Sequence, residues 1–205
     1  MMEKFTVVRG AAAPLLIDNI NTDQIAPVQF MRALEPDYQT ALFARWRSDL
    51  DKPFVLDMPR FHRAPILVTG ANFGCGSARE VAVWALAAHG VRCIVAKSFS
   101  EVYRESLIKN GMLPVVLAPA DRPAFERQVL AVEGRSPFEI DLNARRISCP
   151  DGSSITFEID AGERRALLEG LDDVAMTLRH RPLIEAWERR VATQQPWLQR
   201  VASPD

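Results

Sequence analysis

The chain has 205 residues, with 25 Lys and Arg against 26 Asp and Glu, a formal net charge of −1. Hydrophobic residues make up 48% and charged residues 25%, the balance of an ordinary globular domain, and a chain this long buries enough surface to hold a core without disulfides. There is no basic excess of the kind that accompanies nucleic-acid or membrane-surface binding, and no apolar run approaches the roughly 18–20 residues of a membrane span.

Cys75, Cys93 and Cys149 lie far apart. That spacing excludes a CxxC metal or redox pair, and an odd, sparse count argues against a disulfide framework. A reducing compartment follows. The N-terminus lacks the layout of a signal peptide: its apolar stretch, Ala11 to Ile17, is broken by Pro14 and runs into Asp18-Asn19. The expected location is cytoplasmic.

No repeat or low-complexity tract divides the chain, which reads as one domain over 1–205 with a partly extended tail from about residue 193. Residues 1–60 are rich in loops, punctuated by Pro14, Pro27, Pro36, Pro53 and Pro59. Thr6-Val7-Val8 and Leu15-Leu16-Ile17 predict short strands. Thr40 to Trp46 predicts a helix with Leu42, Phe43 and Trp46 on one side. The middle of the chain alternates clearly. Pro65 to Thr69 is a strand, and Ser77 to His89 a helix apolar on nearly every side, hence buried. Gly90 stops that helix at a left-handed cap position. Cys93 to Ala96 is the next strand. Ser98-Phe99-Ser100-Glu101 reads as a capping box opening a helix with Phe99, Val102, Tyr103, Ser106 and Leu107 on one face. Asn110-Gly111 ends it, and Val115 to Leu117 is a third strand. Such alternation predicts a parallel three-strand β-α-β-α-β unit. Phe138–Asp141, Arg146–Cys149 and Ile155–Ile159 then predict an antiparallel meander, with turns at Asn143-Ala144 and Asp151-Gly152. Helical stretches fill Gly162 to Trp187, the last opened by Pro182. The fold class is mixed α/β.

Candidate chemistry collects in two polar clusters. Ala71-Asn72-Phe73-Gly74-Cys75-Gly76-Ser77-Ala78-Arg79-Glu80 follows a parallel strand, and ligands of open parallel sheets bind beyond the carboxyl ends of the strands. The glycines permit close backbone approach, a helix N-terminus beside Ser77 favours negative charge, and Arg79 offers a donor fork suited to a carboxylate or phosphate. Ser77 and Glu80 equally satisfy a plain capping box, and an arginine such as Arg79 is most often a salt-bridge partner. Gly74-x-Gly76-x-x-Arg79 is an incomplete dinucleotide fingerprint: the third glycine is missing, and the second strand ends at Ala96-Lys97 without the expected ribose-binding acid. Cys75 as a nucleophile has only His62, His89 and His180 to draw on, and no spacing selects one. The second cluster, Asp18-Asn19-Ile20-Asn21-Thr22-Asp23, reads by itself as a run of Asx turns. It lacks the ligand pattern of a calcium loop.

Together the clusters are more specific. Asp18 to Pro27 resembles the first motif of the aconitase swivelling domain, and Asn72 to Glu80 resembles that domain's signature loop. Ser98-Phe99 with Asn110-Gly111-Met112-Leu113-Pro114 matches its third landmark. Leu42-Phe43-Ala44-Arg45-Trp46-Arg47, Phe54-Val55-Leu56, Gly170-Leu171-Asp172 and Thr177-Leu178 resemble the small subunits of bacterial 3-isopropylmalate dehydratase, a branch of that superfamily. The resemblance covers nearly the whole chain. It implies a swivelling β/β/α domain and a hydro-lyase of leucine biosynthesis, interconverting 3- and 2-isopropylmalate. It also implies a [4Fe–4S] cluster held by three thiolates of a separate large subunit, the expected partner, and none held by this chain's own cysteines. Ser77 falls on the family's catalytic base and Asp23 on an acidic residue facing the site. Arg79 falls on the arginine that grips a substrate carboxylate, with Gly76, Ala78 and Arg32 beside the substrate.

The chain departs from the pattern in places. Where the family usually reads Ser-Ser-Arg-Glu-His, this loop reads Ser77-Ala78-Arg79-Glu80-Val81, without one hydroxyl and the histidine. Val102-Tyr103-Arg104-Glu105-Ser106 replaces an aromatic, glycine and asparagine run. Arg32 stands where the substrate-selecting loop begins, and in relatives an arginine near that point accompanies an extra substrate carboxylate. A methylmalate/citraconate or homoaconitate hydro-lyase subunit, a stand-alone nucleotide-binding domain and a subunit that lost the chemistry remain the alternatives at this stage.

Overall fold

In the computed structural model of the chain, residues 2–31, 37–49, 53–77 and 79–199 are described below. In chain order the strands and helices are β1 (Val7–Gly10), β2 (Ala12–Leu15), α1 (Thr22–Ile25), α2 (Tyr38–Ala41), α3 (Ala44–Asp49), β3 (Ile66–Thr69), α4 (Glu80–His89), β4 (Cys93–Ala96), α5 (Glu101–Lys109), β5 (Leu113–Val116), α6 (Arg122–Val132), β6 (Phe138–Asp141), β7 (Arg146–Ser148), β8 (Ser154–Thr156), α7 (Ala161–Glu169), α8 (Asp173–Leu178) and α9 (Arg181–Gln194). None of the described helices is long and apolar enough to cross a membrane.

Two four-stranded sheets carry the fold. One is parallel, in the order β2-β3-β4-β5, and the other antiparallel, in the order β1-β6-β7-β8. The expected three-strand parallel unit therefore gains a fourth strand. The segment after β1 pairs Ala12–Leu15 alongside Ile66–Thr69, three residues upstream of the predicted Leu15-Leu16-Ile17. The predicted meander likewise gains β1, which pairs antiparallel with β6. Both edges of the parallel sheet contain a proline, Pro14 in β2 and Pro114 in β5. Proline lacks the N–H that an interior ladder needs, so an edge is where a strand tolerates it, and there it discourages pairing with another chain.

Strand alternation sorts the core into two layers. Leu67, Ile94, Ala13 and Leu15 face α4, whose Ala82, Val83, Ala85 and Leu86 are fully buried, together with Phe43, Phe54 and Tyr103. Ile66, Val68, Cys93 and Val95 face the other way, onto Phe125 and Val129 of α6 and the inner residues Phe138, Ile140 and Ile147 of the antiparallel sheet. The resulting layers of sheet, sheet and helix explain why α4 is apolar nearly all round: it lies under loops as well as on the sheet.

Several local expectations change. The predicted helix at Thr40 to Trp46 is two short helices broken at Phe43, whose φ is +50°. Its N–H bonds the Ile25 carbonyl at 2.7 Å while its ring, fully buried, stacks on Trp46 and meets Phe54. Burial of the ring outweighs a backbone conformation that bulky residues rarely adopt. Neither predicted capping box forms. The cap position of α4 is Arg79 and that of α5 is Ser100, neither with a side-chain cap. On α5 the inward face is Tyr103, Leu107 and Ile108, and Val102 is exposed. At the C-terminal end, α9 continues to Gln194 and a 3-10 turn occupies Pro196–Gln199, so the described part of the tail is helical rather than extended.

Candidate active site

The loops that leave β2, β3 and β4 at their carboxyl ends converge. After β3, residues 70–77 are threaded between the segment following β2 and the segment following β4. On one side the Gly70 N–H bonds the Ile17 carbonyl at 3.1 Å and the Asn19 N–H the Ala71 carbonyl at 2.8 Å. The Gly74 N–H bonds the Ile20 carbonyl at 2.8 Å, and the Thr22 N–H the Cys75 carbonyl at 3.1 Å. On the other side the Phe73 N–H donates to the Ser98 carbonyl, the Ser100 N–H to the Phe73 carbonyl, and the Asn72 N–H to Ser98 Oγ at 2.8 Å. Ser98 thus supports the loop instead of capping α5. The two polar clusters, some fifty residues apart in sequence, form one bridged unit in which Asn21 pairs with Cys75.

Asp18 anchors the start of this unit. Its carboxylate accepts the Ala71 N–H at 2.7 Å and lies 3.3 Å from Lys97 Nζ; the N–H first, then the ammonium, hold the carboxyl below its ordinary range. Gly74 (φ +75°) and Gly76 (φ +86°) take left-handed conformations on either side of Cys75. A Cβ on Gly74 would fall 1.9 Å from Cδ1 of the buried Tyr103 ring, whereas one on Gly76 meets nothing nearer than Asn21 Cβ at 3.7 Å. Gly74 therefore seats the loop on α5, and Gly76 leaves open space beside Ser77.

Ser77 itself is exposed, three residues ahead of Glu80, where α4 begins, so it is not the helix cap the sequence suggests. Its carbonyl accepts the Thr22 hydroxyl at 2.6 Å. That bond fixes the backbone and leaves the Ser77 hydroxyl without a partner among the described residues. Thr22 owes its importance to this bond, yet in sequence it is one more polar residue in a turn-rich run. Arg79 reaches across to the same segment: one of its Nη atoms lies 3.0 Å from Asp23 Oδ1. Ser77, Gly76, Arg79 and Asp23 are therefore brought together, whereas Ala78 and Arg32 lie outside the described residues. The dinucleotide alternative fits poorly, since the glycine turn does not open directly into α4, which begins only at Glu80.

The chain is similar to known proteins over nearly its whole length. The family of the aconitase C-terminal domain matches residues 2–120, and the family of the C-terminal domain of 3-isopropylmalate dehydratase small subunits matches residues 173–201. The chain is 42% identical over 203 residues to the 3-isopropylmalate dehydratase small subunit of Rhodospirillum centenum, covering 96% of this chain and 98% of that one. It is 43% identical over 203 residues to the small subunit of Azorhizobium caulinodans, covering 96% and 100%. The chain belongs to the 3-isopropylmalate dehydratase small-subunit family. A crystal structure of 3-isopropylmalate dehydratase (leuD) from Methanocaldococcus jannaschii superposes with a TM-score of 0.62 at 26% identity, over 89% of this chain and 99% of that one.

Enzymes of the aconitase superfamily use an iron–sulfur cluster, and the residues of this small-subunit family member do not fit one. Cys75 lies in the crossing loop, Cys93 in β4 and Cys149 just past β7 in the other sheet. Cys93 is fully buried, and desolvation drives its thiol far above the ordinary value; burial also raises that of Cys149. A cluster takes several thiolates converging on one site, and these three thiols stand on different elements of the fold. No group of three or more His, Cys, Asp or Glu among the described residues is placed to hold a metal ion.

Proposed function

We propose that this chain supplies the carboxylate-binding and proton-transfer half of a 3-isopropylmalate dehydratase, interconverting 3- and 2-isopropylmalate through the dehydrated acid in leucine biosynthesis. One observation carries the reading. Ser77, whose hydroxyl has no partner among the described residues, is held on the loop that Thr22 and the Arg79–Asp23 pair tie together at the carboxyl ends of parallel strands, in a chain of this family.

Dehydration removes a hydroxide from one carbon and a proton from its neighbour. In our reading Arg79 binds a substrate carboxylate and so fixes that neighbouring carbon over Ser77, which takes the proton on Oγ. In the hydration direction Ser77 returns it. A neutral hydroxyl cannot take this proton, so Ser77 acts as its alkoxide, its own proton having passed to solvent beforehand, and the proton it takes restores the hydroxyl. Positive charge stabilises the alkoxide, and the Arg79 guanidinium and the N–H groups at the start of α4 are its nearest sources in sequence. The Thr22 bond to the Ser77 carbonyl makes the position rigid, a condition for efficient proton transfer. Asp23 balances the charge of Arg79 when no substrate is bound. Gly76 leaves room for the substrate beside Ser77, and Ala78 and Arg32 are assigned to the same pocket from the resemblance.

The hydroxyl's departure needs an acid, a part that this reading gives to none of the described residues. That part falls to a large subunit, which holds the [4Fe–4S] cluster and is the partner in a cytoplasmic heteromer. The test is reconstitution: the chain with a cognate large subunit should form the unsaturated acid from 3-isopropylmalate, followed by ultraviolet absorbance. Equal or better turnover of methylmalate or of a tricarboxylic hydroxy acid would replace the substrate. Turnover by the small chain alone would overturn the two-subunit reading.

A further inference from the structure

Asp23 has a second cation. Its Oδ1 accepts from Arg79, and its Oδ2 lies 3.2 Å from an Nη atom of Arg45 at the start of α3. The other Nη of Arg45 donates to Gln29 Oε1 at 2.8 Å, and the Val28 N–H points at Asp23 Oδ1 at 3.4 Å. Arg45 thus ties both α1 and the turn at Val28–Met31 to α3. Resting on the carboxylate-binding role given to Arg79, we propose that Arg45 is a positioning residue: by holding Asp23 Oδ2, it prevents Asp23 from closing bidentately on Arg79 and keeps Arg79 available to the substrate.

The reasoning is electrostatic and geometric. A guanidinium and a carboxylate left to themselves form a two-bond fork, which saturates both oxygens and neutralises the pair. Here the fork is split. Arg79 makes one bond to Asp23 and retains other donors, and two cations share one anion, leaving a net charge of +1. A dianionic substrate is drawn to such a cluster. Without Arg45, Asp23 is free to rotate its second oxygen onto Arg79 and to compete with the incoming carboxylate. All three side chains are partly open, 51% exposed for Arg45, 36% for Asp23 and 34% for Arg79, so solvent and salt screen the effect.

The test uses the chain reconstituted with its large subunit, with Arg45→Ala, Arg45→Lys and the double variant Arg45→Ala/Asp23→Asn. Arg45→Ala should raise KM for the hydroxy-diacid about fivefold, the upper range for a partly exposed ion pair, with kcat within twofold. Arg45→Lys should recover most of the loss. The inhibition constant of a non-reacting saturated dicarboxylate should rise in Arg45→Ala and return toward the wild-type value in the double variant, where the competing charge is gone. A merely structural role predicts no such rescue. Unchanged KM and inhibition constant in Arg45→Ala, a fall in kcat alone, or a rise that Asp23→Asn does not relieve would each overturn the proposal. Should the wild-type complex fail to dehydrate 3-isopropylmalate, the proposed function falls; calorimetric binding of the dicarboxylate to the same variants then still decides the role of Arg45.

Discussion

Gly74 and Gly76 offer a controlled comparison within one loop, since both have positive φ, +75° and +86°, and only one is sterically closed. Placing an alanine at either position forces an L-residue into the left-handed region at a cost of about 1–2 kcal/mol. At Gly76 that is the whole cost, because the new methyl meets nothing nearer than 3.7 Å. At Gly74 the methyl would lie 1.9, 2.3 and 2.7 Å from three ring atoms of Tyr103, which is fully buried against Phe73 and has nowhere to turn. Overpacking of this kind adds about 1–3 kcal/mol. Gly74→Ala should therefore destabilise the isolated chain by about 2–5 kcal/mol and Gly76→Ala by about 1–2 kcal/mol. Urea unfolding followed by far-ultraviolet circular dichroism, at constant m-value, measures both. Equal losses at the two positions, or a greater loss at Gly76, would refute the seating of the loop on Tyr103.

Three further expectations concern the core and its margins. The Tyr103 hydroxyl is buried with no hydrogen-bond partner among the described residues, so Tyr103→Phe should stabilise the chain by about 1 kcal/mol in the same urea assay. His89, at the end of α4, is held below its ordinary value of 6.5, first by desolvation and then by Arg47 and His62, against an opposing pull from Asp57. Burial here outweighs the helix dipole, which would favour the charged ring. Because the unfolded chain binds that proton more tightly, stability should be full above about pH 6.5 and decline as pH falls below it, and His89→Gln should flatten the decline between about pH 6.5 and 5. Finally, α9 buries no side chain among its residues. Leu183→Ala or Trp187→Ala should shift stability by no more than about 0.5 kcal/mol, whereas Leu86→Ala in α4 should cost about 2–5 kcal/mol.

The elements that could be read from sequence are those whose local pattern and tertiary role agree. β3, α4, β4 and α5 alternate in the expected order, and Gly90 caps α4 with φ +109° as its position suggested. The hairpin residues Asp151 and Gly152 turn the chain as expected, with Asp151 accepting the Ser153 N–H. What escaped depends on distant partners. β2 is a strand because β3 offers it an edge, and its proline conceals it. Phe43 breaks a helix because its ring is needed in the core. Ser98 and Ser77 have capping patterns, yet one supports the crossing loop and the other stands free ahead of α4, choices made by contacts with residues 19–22 and 72. α6 lies in a segment with Pro123 and Pro137 near its ends, and periodicity there drew no expectation. In the site, Ser77, Gly76, Arg79 and Asp23 were accessible through the resemblance of the two motifs. Arg45 was not, because only the fold brings it to Asp23.

The central claim is that the proton is handled at Ser77 by this chain, with the hydroxyl-activating half supplied by its partner. The most direct measurement compares wild-type and Ser77→Ala complexes reconstituted with the large subunit, recording both turnover of 3-isopropylmalate and calorimetric binding of a saturated dicarboxylate. Loss of the base should lower kcat by at least about a hundredfold, the low end of what a general base contributes, and leave dicarboxylate binding within about threefold because Arg79 is intact. Turnover in Ser77→Ala equal to that of the wild-type complex would contradict the claim.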